Sequence, residues 1–365
     1  MSILLFILVL VVLILVHEFG HFIVAKAFGI RVDEFGIFFP PRVFALKWGE
    51  TEYSLNWLPF GGFVKIYGEN YDAEPEPRSF TGKSRWVQAA VIVAGIVCNL
   101  IFAWFILSAG YIVGLPTPTE HEGFGTVTNA HPTVVTVLDN SPAQKVGIMA
   151  GDEVKKVETA TVSLDARTLN TSDQSNVVTN FITTHSEQSI IVTVLRGGKE
   201  MVFITKAADG IVPDRKVVGL QLEDIGTLRL PLHLALAQGA MLGYDITIST
   251  AEGLAAFIHQ IFSGTANFSS VAGPIGITVF GAAAIKQGFA ATVMLVALIS
   301  INLAIINVIP IPGLDGGRLL IIALEGVRGK PISQGIINGL TIAGFGLLIL
   351  LMLVVSYHDI ARLIG

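Results

Sequence analysis

The sequence predicts a polytopic α-helical membrane protein with four transmembrane helices, a membrane-associated β loop and one extracytoplasmic, mainly-β domain. Three observations lead to this fold class. Of the 365 residues, 52% are hydrophobic and only 14% are charged, whereas soluble domains usually carry about a quarter charged residues. The apolar residues are concentrated in four long runs. Between the second and third runs, short apolar and polar stretches alternate.

Each apolar run reaches the roughly 20 residues that a helix needs to cross the hydrocarbon core of a bilayer. The runs predict transmembrane helices at about residues 3–28, 87–113, 289–311 and 336–356. The first run could be mistaken for a signal peptide, because Ala25-Lys26-Ala27 mimics a cleavage site. It lacks a preceding basic region and contains a His/Glu cluster, so we interpret it as a retained helix.

The distribution of Lys and Arg in the short loops predicts the orientation of the chain. The segment 29–85 holds seven Lys or Arg residues, and the segment 316–335 holds three. The tail after the fourth run carries only Arg362, close to Asp359. Because basic loops tend to stay in the cytoplasm, we expect both termini and the long segment 114–288 to be extracytoplasmic.

This pattern divides the chain into four parts. Residues 1–113 form the first part of a membrane core and include a β loop at 31–68. Residues 114–208 are predicted to form a mainly-β domain, because residues 126–207 alternate between apolar and polar in short runs separated by turn residues. Residues 209–288 are expected to form extracytoplasmic amphipathic helices at the membrane surface. Residues 289–365 complete the core.

Charge and cysteine content exclude several classes of function. The formal net charge of −5 argues against a basic surface for nucleic acid. A single cysteine, Cys98, excludes an internal disulfide framework and a cysteine-rich metal cluster.

The sequence His17-Glu18-Phe19-Gly20-His21 in the first apolar run is the main chemical signal. Residues four apart share one face of a helix, so both imidazoles can bind one Zn²⁺ ion. Glu18 would act as general base and take the proton from a water that attacks a peptide carbonyl. The alternative is a chance occurrence of the motif. Ionisable residues in a bilayer cost at least ~2.5 kcal/mol each on insertion scales, which favours the functional interpretation.

A catalytic zinc site uses three protein ligands and keeps one position open. The best candidate for the third ligand is Asp315, at the cytoplasmic end of the third span, where prolines end the helix and Gly316-Gly317 allow close backbone approach. The alternative is an ordinary helix-terminal turn with an exposed Asp. The remaining histidines are expected at the surface or the membrane interface: His121, His131, His185, His233, His259 and His358.

The His17–His21 motif and the later segment 307–317 (NVIPIPGLDGG) together resemble the site-2 protease family of intramembrane zinc metalloproteases. The closer similarity is to its bacterial regulator-of-sigma-E branch, and it extends over nearly the whole chain, including residues 60–65 and 273–277. The resemblance implies that His17, His21 and Asp315 bind zinc and that Glu18 is the general base. It also implies substrate contacts for Asn99, Gly61 and Gly62. Residues 94–99 depart from the family pattern, which usually has a proline after the glycine.

The outer segment resembles a protease-associated PDZ domain in residues 139–143 and 147–154, which combine a short helix with a Gly-Asp strand. The sigma-E branch often has two such domains, whereas this chain has room for one. A PDZ domain can bind an extended peptide. The alternative is steric, with the folded domain excluding substrates that carry bulky outer domains. We favour the steric role, because no clear carboxylate-binding loop is visible.

The β loop offers a way to hold an unwound substrate. Residues 43–57 alternate, and Phe60–Ile66 forms another short strand. A sheet edge beside the zinc could pair with substrate backbone that has lost its helical hydrogen bonds. An ordinary cytoplasmic hairpin is the alternative.

These features lead to one hypothesis and one rival. The hypothesis is a zinc-dependent intramembrane endopeptidase that cleaves transmembrane segments of single-pass membrane proteins in the lipid bilayer. Substrates such as anti-sigma factors or signal-peptide remnants, in regulated intramembrane proteolysis, are implied by the resemblance. A bacterial inner membrane is the expected location, with the active site towards the cytoplasm. The rival is a membrane-anchored PDZ adaptor with a non-catalytic metal site.

Overall fold

The computed structural model describes residues 2–69, 76–169, 173–212, 215–265 and 273–364. The chain forms two compact units. One, which we call the membrane unit, combines Met1–Ser108 with Gly239–Gly365, and the other, the β unit, is Ala109–Gln238.

The described residues contain helices and strands in the following chain order. The helices are α1 (Ser2–Ala27), α2 (Arg85–Val113), α3 (Pro142–Val146), α4 (Gln174–Thr184), α5 (Leu232–Ser263), α6 (Pro274–Gln287), α7 (Phe289–Val308), α8 (Asp315–Arg328) and α9 (Gln334–Ile364). The strands are β1 (Val32–Trp48), β2 (Thr51–Ile66), β3 (Leu115–Pro118), β4 (Thr128–Val137), β5 (Glu153–Glu158), β6 (Ser163–Asp165), β7 (Ser189–Arg196), β8 (Lys199–Lys206), β9 (Ala208–Val212), β10 (Arg215–Val217) and β11 (Leu220–Leu228).

Four helices in the described part of the chain are long and apolar enough to cross a membrane: α1, α2, α7 and α9. They coincide with the four predicted spans. The third is shorter than predicted and ends at Val308 instead of residue 311. The reason is Pro310, which disfavours the helical conformation of the preceding residue. Ile309 accordingly has the extended angles φ −62° and ψ 132°.

Helices α1 and α2 pack closely where small residues face each other. A Cβ atom at Gly20 would overlap the backbone of Ala94 and the side chain of Cys98. Small residues allow this approach of two spanning helices, whose association depends on van der Waals packing. The crossing point therefore lies within the His17–His21 motif.

The two strands of the predicted β loop are long and bent. Residues 32–37 of β1 pair with residues 62–66 of β2 on one side and with residues 52–55 on the other. Residues 42–48 of β1 fold back on residues 51–56 of β2. The segment 62–66 is thus an edge of this small sheet within the described residues. Gly62, the first residue of this segment, packs against Leu15 of α1.

The sequence predicts amphipathic helices over the whole of residues 209–288, and the structure differs in the first part of this segment. Its first part forms strands β9, β10 and β11, and helices begin only at Leu232. The apolar positions Leu220 and Leu222 have the two-residue period of a strand, which the prediction overlooked. The rest is helical in α5 and α6, and residues 213–214 and 266–272 lie outside the described residues.

Helix α5 packs in the membrane unit against α2 and α7. Leu242 and Ile246 of α5 contact a buried cluster formed by the other two helices: Ala103, Leu107, Ala297 and Ile301. Beyond this contact the helix exposes large apolar side chains, and Phe262 is 88% exposed.

The β unit contains a seven-stranded sheet in the order β3-β11-β4-β5-β7-β8, with β6 paired to β5. The described part of this unit covers residues 109–169, 173–212 and 215–238, so residues 170–172 of the predicted domain are outside it. Its core is aliphatic and includes fully buried Val157, Val178, Ile190 and Val192. Strand β11 pairs with β4 along most of its length and with β3 at residues 225–228.

The short helix α3 is built as the sequence predicts from Ser141-Pro142. The Ser141 side chain accepts a hydrogen bond from the backbone N–H of Gln144, and Gly147 ends the helix in the left-handed conformation at φ 89°. The following Asp152 is only 1% exposed. Its carboxylate accepts two hydrogen bonds of 2.6 Å from the Arg196 guanidinium, an ion pair that ties the α3 region to β7.

Candidate metal centre

Helix α1 presents His17 and His21 on one face, as their spacing of four residues requires. The two Nε2 atoms lie 3.2 Å apart. The ring planes are nearly perpendicular, at 89°. Both side chains are buried, with 9% and 6% of their residue surface exposed. The two imidazoles are thus directed at one point beside an otherwise apolar helix.

The turn after α7 brings Asp315 to the same point. Cβ atoms at Gly316 and Gly317 would overlap the backbone carbonyls of Val308 and Ile311, so only glycine lets the start of α8 pack on this turn. Asp315 is the first residue of α8. Its Oδ2 atom lies 3.1 Å from His17 Nε2 and 3.3 Å from His21 Nε2.

The three donor atoms fit a tetrahedral zinc ion. They form a nearly equilateral triangle with sides of 3.1, 3.2 and 3.3 Å. Zinc–ligand distances of about 2.0–2.1 Å place tetrahedral ligand atoms about 3.3–3.4 Å apart. Asp315 Oδ2 is buried and has no hydrogen-bond partner of acceptable geometry, so its charge is compensated best by a cation at the centre of the triangle.

The orientation of His21 also suits a metal ligand. Its Nδ1 atom lies 2.9 Å from the backbone oxygen of Val91 in α2. Since a carbonyl oxygen only accepts hydrogen bonds, Nδ1 carries the proton and Nε2 keeps its lone pair. A hydrogen bond of this kind fixes the tautomer and the ring direction of a metal-binding histidine.

Glu18 stands next to the His–Asp triangle at the wall of two adjoining cavities. Both cavities are lined by Glu18, His17 and Asp315, and their volumes are about 250 Å³ and about 640 Å³. The larger one is also lined by Gly62 and by Arg318 of α8. A carboxylate, a metal-binding cluster and space for a peptide therefore meet at one place.

The remaining predicted site residues lie at different distances from this centre. Asn99 of α2 is fully buried, and its Nδ2 atom is 3.4 Å from His17 Nδ1. Gly62 lines the larger cavity beside Phe63 and Val64. Gly61 has φ 133° and packs close to the Ile14 side chain of α1. The structure therefore brings Asn99 and Gly62 to the centre, while Gly61 lies in β2 directly before Gly62.

The sequence reasoning missed two features of the site. A Cβ atom at Gly95 of α2 would overlap the imidazole rings of His21 and His17, so the glycine provides their space. Asn307 of α7 lines the smaller cavity. Gly95 and Asn99 repeat the four-residue spacing of the two histidines, and that spacing is the signal that could have shown which face of α2 meets them.

The other histidines are not part of this centre. In the part of the chain that the structure describes, His17, His21 and Asp315 are the one set of three His, Cys, Asp or Glu residues whose ligand atoms converge. Glu18, His17, His21 and Asp315 are thus the ionisable residues on which a chemical interpretation depends.

Comparison with known proteins shows the family of the chain. Residues 5–351 match peptidase family M50. The chain is 34% identical over 355 residues to a Clostridium perfringens protein with zinc metalloprotease in its name, an alignment that covers 95% of each chain.

Two further relatives extend the comparison. Zinc metalloprotease RasP of Bacillus licheniformis is 26% identical, with 98% of each chain covered. A chloroplast protein of Arabidopsis thaliana with membrane metalloprotease in its name is 32% identical over 97% of this chain and 79% of its own length. The chain therefore belongs to peptidase family M50 and is a membrane zinc metalloendopeptidase of the site-2 protease type.

Proposed function

We propose that this protein is a zinc-dependent intramembrane endopeptidase that hydrolyses peptide bonds within the transmembrane segments of single-pass membrane proteins. One observation carries the proposal. The triangle of His17, His21 and Asp315 donor atoms lies beside Glu18 on a helix that is otherwise apolar enough to span a membrane. The ionisable side chains His17, Glu18 and His21 of this helix are costly to place in a bilayer. An active site within the bilayer explains that cost.

The residues of the centre have distinct roles in this proposal. His17, His21 and Asp315 would hold the ion, since their ligand atoms converge at one point. The bound ion would supply Lewis-acid polarisation of the scissile carbonyl and lower the pKa of water. The Glu18 carboxylate takes the proton from the attacking water and delivers it to the amide nitrogen that leaves.

Strand β2 is the element that we expect to hold the unwound substrate. The edge segment 62–66 pairs on one side with β1, and Gly62, Phe63 and Val64 line the larger cavity with Glu18. An extended substrate could add to this edge and recover the backbone hydrogen bonds lost with its helix. Gly62 presents no side chain that would obstruct a neighbouring backbone.

For the β unit we propose a PDZ-like fold and a steric role. The capped helix α3, followed by Gly151 and the buried Asp152, supports the resemblance to a PDZ domain. Part of the β11 edge is already used, because β3 pairs with residues 225–228 and Thr119 N–H donates to Asp224 O. A shortened free edge disfavours binding of a long peptide and favours exclusion of substrates with bulky outer domains.

The basic short loops support a topology in which both termini and the β unit are extracytoplasmic and the metal centre faces the cytoplasmic side. A bacterial inner membrane is the proposed location. Suitable substrates are membrane remnants whose outer domain has already been removed, such as anti-sigma factors or signal peptides. Such substrates would place this protein in regulated intramembrane proteolysis.

The test is co-expression with a tagged single-pass membrane protein that lacks its outer domain. Wild type should cleave it, and Glu18→Gln should lose at least about 100-fold in rate while zinc content is unchanged. Glu120→Gln, at an exposed residue of the β unit, is the matched control and should cleave normally. Normal cleavage by Glu18→Gln would overturn the assignment of the base. Stoichiometric zinc without any cleavage by wild type would instead favour the adaptor.

A further inference from the structure

One face of α2 lies against the His17–His21 pair and contacts it at three successive positions, four residues apart. The backbone oxygen of Val91 lies 2.9 Å from His21 Nδ1. Gly95 leaves space for both rings, since a Cβ atom there would overlap them. The Asn99 amide lies 3.4 Å from His17 Nδ1. Val91 and Asn99 of this helix thus lie at the Nδ1 atoms of the two imidazoles, while Gly95 makes room for His21 Nε2 and for the Cε1 atoms of both rings.

The protonation of His17 must match that of His21 if both are to bind an ion through Nε2. A neutral imidazole has one N–H and one lone pair. If Nδ1 accepted a hydrogen bond from the Asn99 Nδ2–H, the proton of His17 would sit on Nε2 and block the ligand position. If Nδ1 carries the proton, it needs an acceptor, and Nε2 is free for the metal.

The Asn99 amide can supply that acceptor. Its Oδ1 atom is buried and has no hydrogen-bond partner. The two terminal atoms of a carboxamide have nearly the same shape, so a half-turn of the amide exchanges them. The turned amide places Oδ1 at the His17 Nδ1–H, which gives this oxygen the partner it lacks.

The position of Asn99 is fixed by its surroundings. The residue is fully buried. Its backbone oxygen accepts a 2.8 Å hydrogen bond from Ser300 Oγ, which attaches this turn of α2 to α7. Asn99 also lines the smaller cavity beside His17. Its amide is nevertheless fully buried and lies within reach of the imidazole, which favours orienting that ring over binding a mobile substrate.

We infer that Asn99 is a positioning residue that holds the His17 ring in the Nδ1–H tautomer, with Nε2 directed at the ion shared with His21 and Asp315. Asn99 thus does for His17 what the Val91 backbone oxygen does for His21. This role differs from the substrate contact that the family resemblance implies. The inference rests on the proposed function, because it requires His17 and His21 to be the zinc ligands.

Zinc affinity of the full-length protein in detergent tests the inference without using activity. Competition with a chromophoric chelator gives the dissociation constant for zinc. Asn99→Leu and Asn99→Ala lack an acceptor and should weaken binding about 10–100-fold. Asn99→Asp keeps the acceptor and should bind at least as tightly as wild type. Asn180→Leu changes an exposed asparagine of α4 and should leave the affinity unchanged.

The outcomes separate this inference from the proposed function. Unchanged affinity in both Asn99→Leu and Asn99→Ala would overturn it. Equal loss in Asn99→Asp would also overturn it, because a packing defect and not a missing acceptor would then be responsible. If the double variant His17→Ala, His21→Ala binds zinc as tightly as wild type, the proposed function itself fails. The melting temperature in the same detergent identifies a variant that fails to fold. If Asn99→Leu does not fold, the zinc affinity of Asn99→Ala, which adds no bulk, decides the test.

Discussion

Asp315 Oδ2 lies 3.1 Å from His17 Nε2, although the two residues come from helices near opposite ends of the chain. The contact joins α1 and α8 at the candidate metal centre. It depends on the turn between α7 and α8, where Gly316 and Gly317 contact backbone carbonyls directly. The chemistry of the site therefore needs the two halves of the membrane unit to fold together.

Asp315→Asn should weaken zinc binding strongly and reduce proteolysis accordingly. The amide keeps the shape of the side chain but removes the negative charge that faces the two imidazoles, and a carboxylate is the better zinc ligand. Zinc content after dialysis against a chelator measures the effect. Asp209→Asn is the matched control, since Asp209 is an exposed residue of β9. Full zinc retention by Asp315→Asn would contradict the ligand role.

Gly95→Ala should reduce both zinc occupancy and activity by at least about tenfold, because the new methyl group would displace the His21 and His17 rings from a geometry that tolerates little error. Gly346→Ala in α9 is the matched control, since a Cβ atom there meets no neighbour within 4 Å. Metal analysis of both purified variants checks the prediction. Normal zinc occupancy in Gly95→Ala would show that the rings can move without loss.

Arg196→Met should destabilise the β unit by about 3 kcal/mol, because it leaves the Asp152 carboxylate buried without its cation. Hydrogen bonding to Asp152 raises the pKa of Arg196 above its usual value. A raised pKa keeps the guanidinium charged, so this contribution is fully present below the ordinary pKa of arginine and is lost as the pH rises from that value through the raised pKa.

Pulse proteolysis of the full chain in detergent measures the stability of the β unit. Arg167→Met is the control, because Arg167 pairs with Asp165 at the surface and should give no measurable change. Equal stability of both variants would show that the Asp152–Arg196 pair contributes little.

Glu50→Gln should loosen the turn between β1 and β2 at neutral pH. Glu50 pairs with Lys26 at the end of α1 and with Arg78, and these hydrogen bonds lower its pKa below the usual 4.5. A lowered pKa means that the wild-type contact is fully present above pH 4.5 and is lost as the pH falls through the lower, folded-state value.

The fluorescence emission of the adjacent Trp48, which is 79% exposed, reports the state of this turn. Subtracting the fluorescence of a Trp48→Phe variant removes the signal of the other tryptophans. Wild type should change only below pH 4.5, and Glu50→Gln should show the altered emission at pH 7. Glu52→Gln serves as control, because Glu52 pairs with Arg42 in the same hairpin. A wild-type transition well above pH 4.5 would contradict the prediction.

Several features of the fold follow directly from local patterns. Four long apolar runs determine four spanning helices, because backbone hydrogen bonds in lipid must be satisfied within a segment. Pro310 ends the third helix at Val308, three residues before the end that the apolar run predicts. The strands at 208–228 were missed, because a short segment between a β domain and an amphipathic helix carries too few periods to be assigned with certainty.

The sequence by itself determined which residues could perform chemistry, since His17, Glu18 and His21 are chemically out of place in an apolar helix and share one face by spacing alone. Only the tertiary structure decided how they are completed. It placed Asp315 beside them, opened space at Gly95, brought the Asn99 amide to the His17 ring and set the β2 edge against the cavity. These relationships join residues far apart in the chain. They depend on helix packing and backbone contact, which no local pattern specifies.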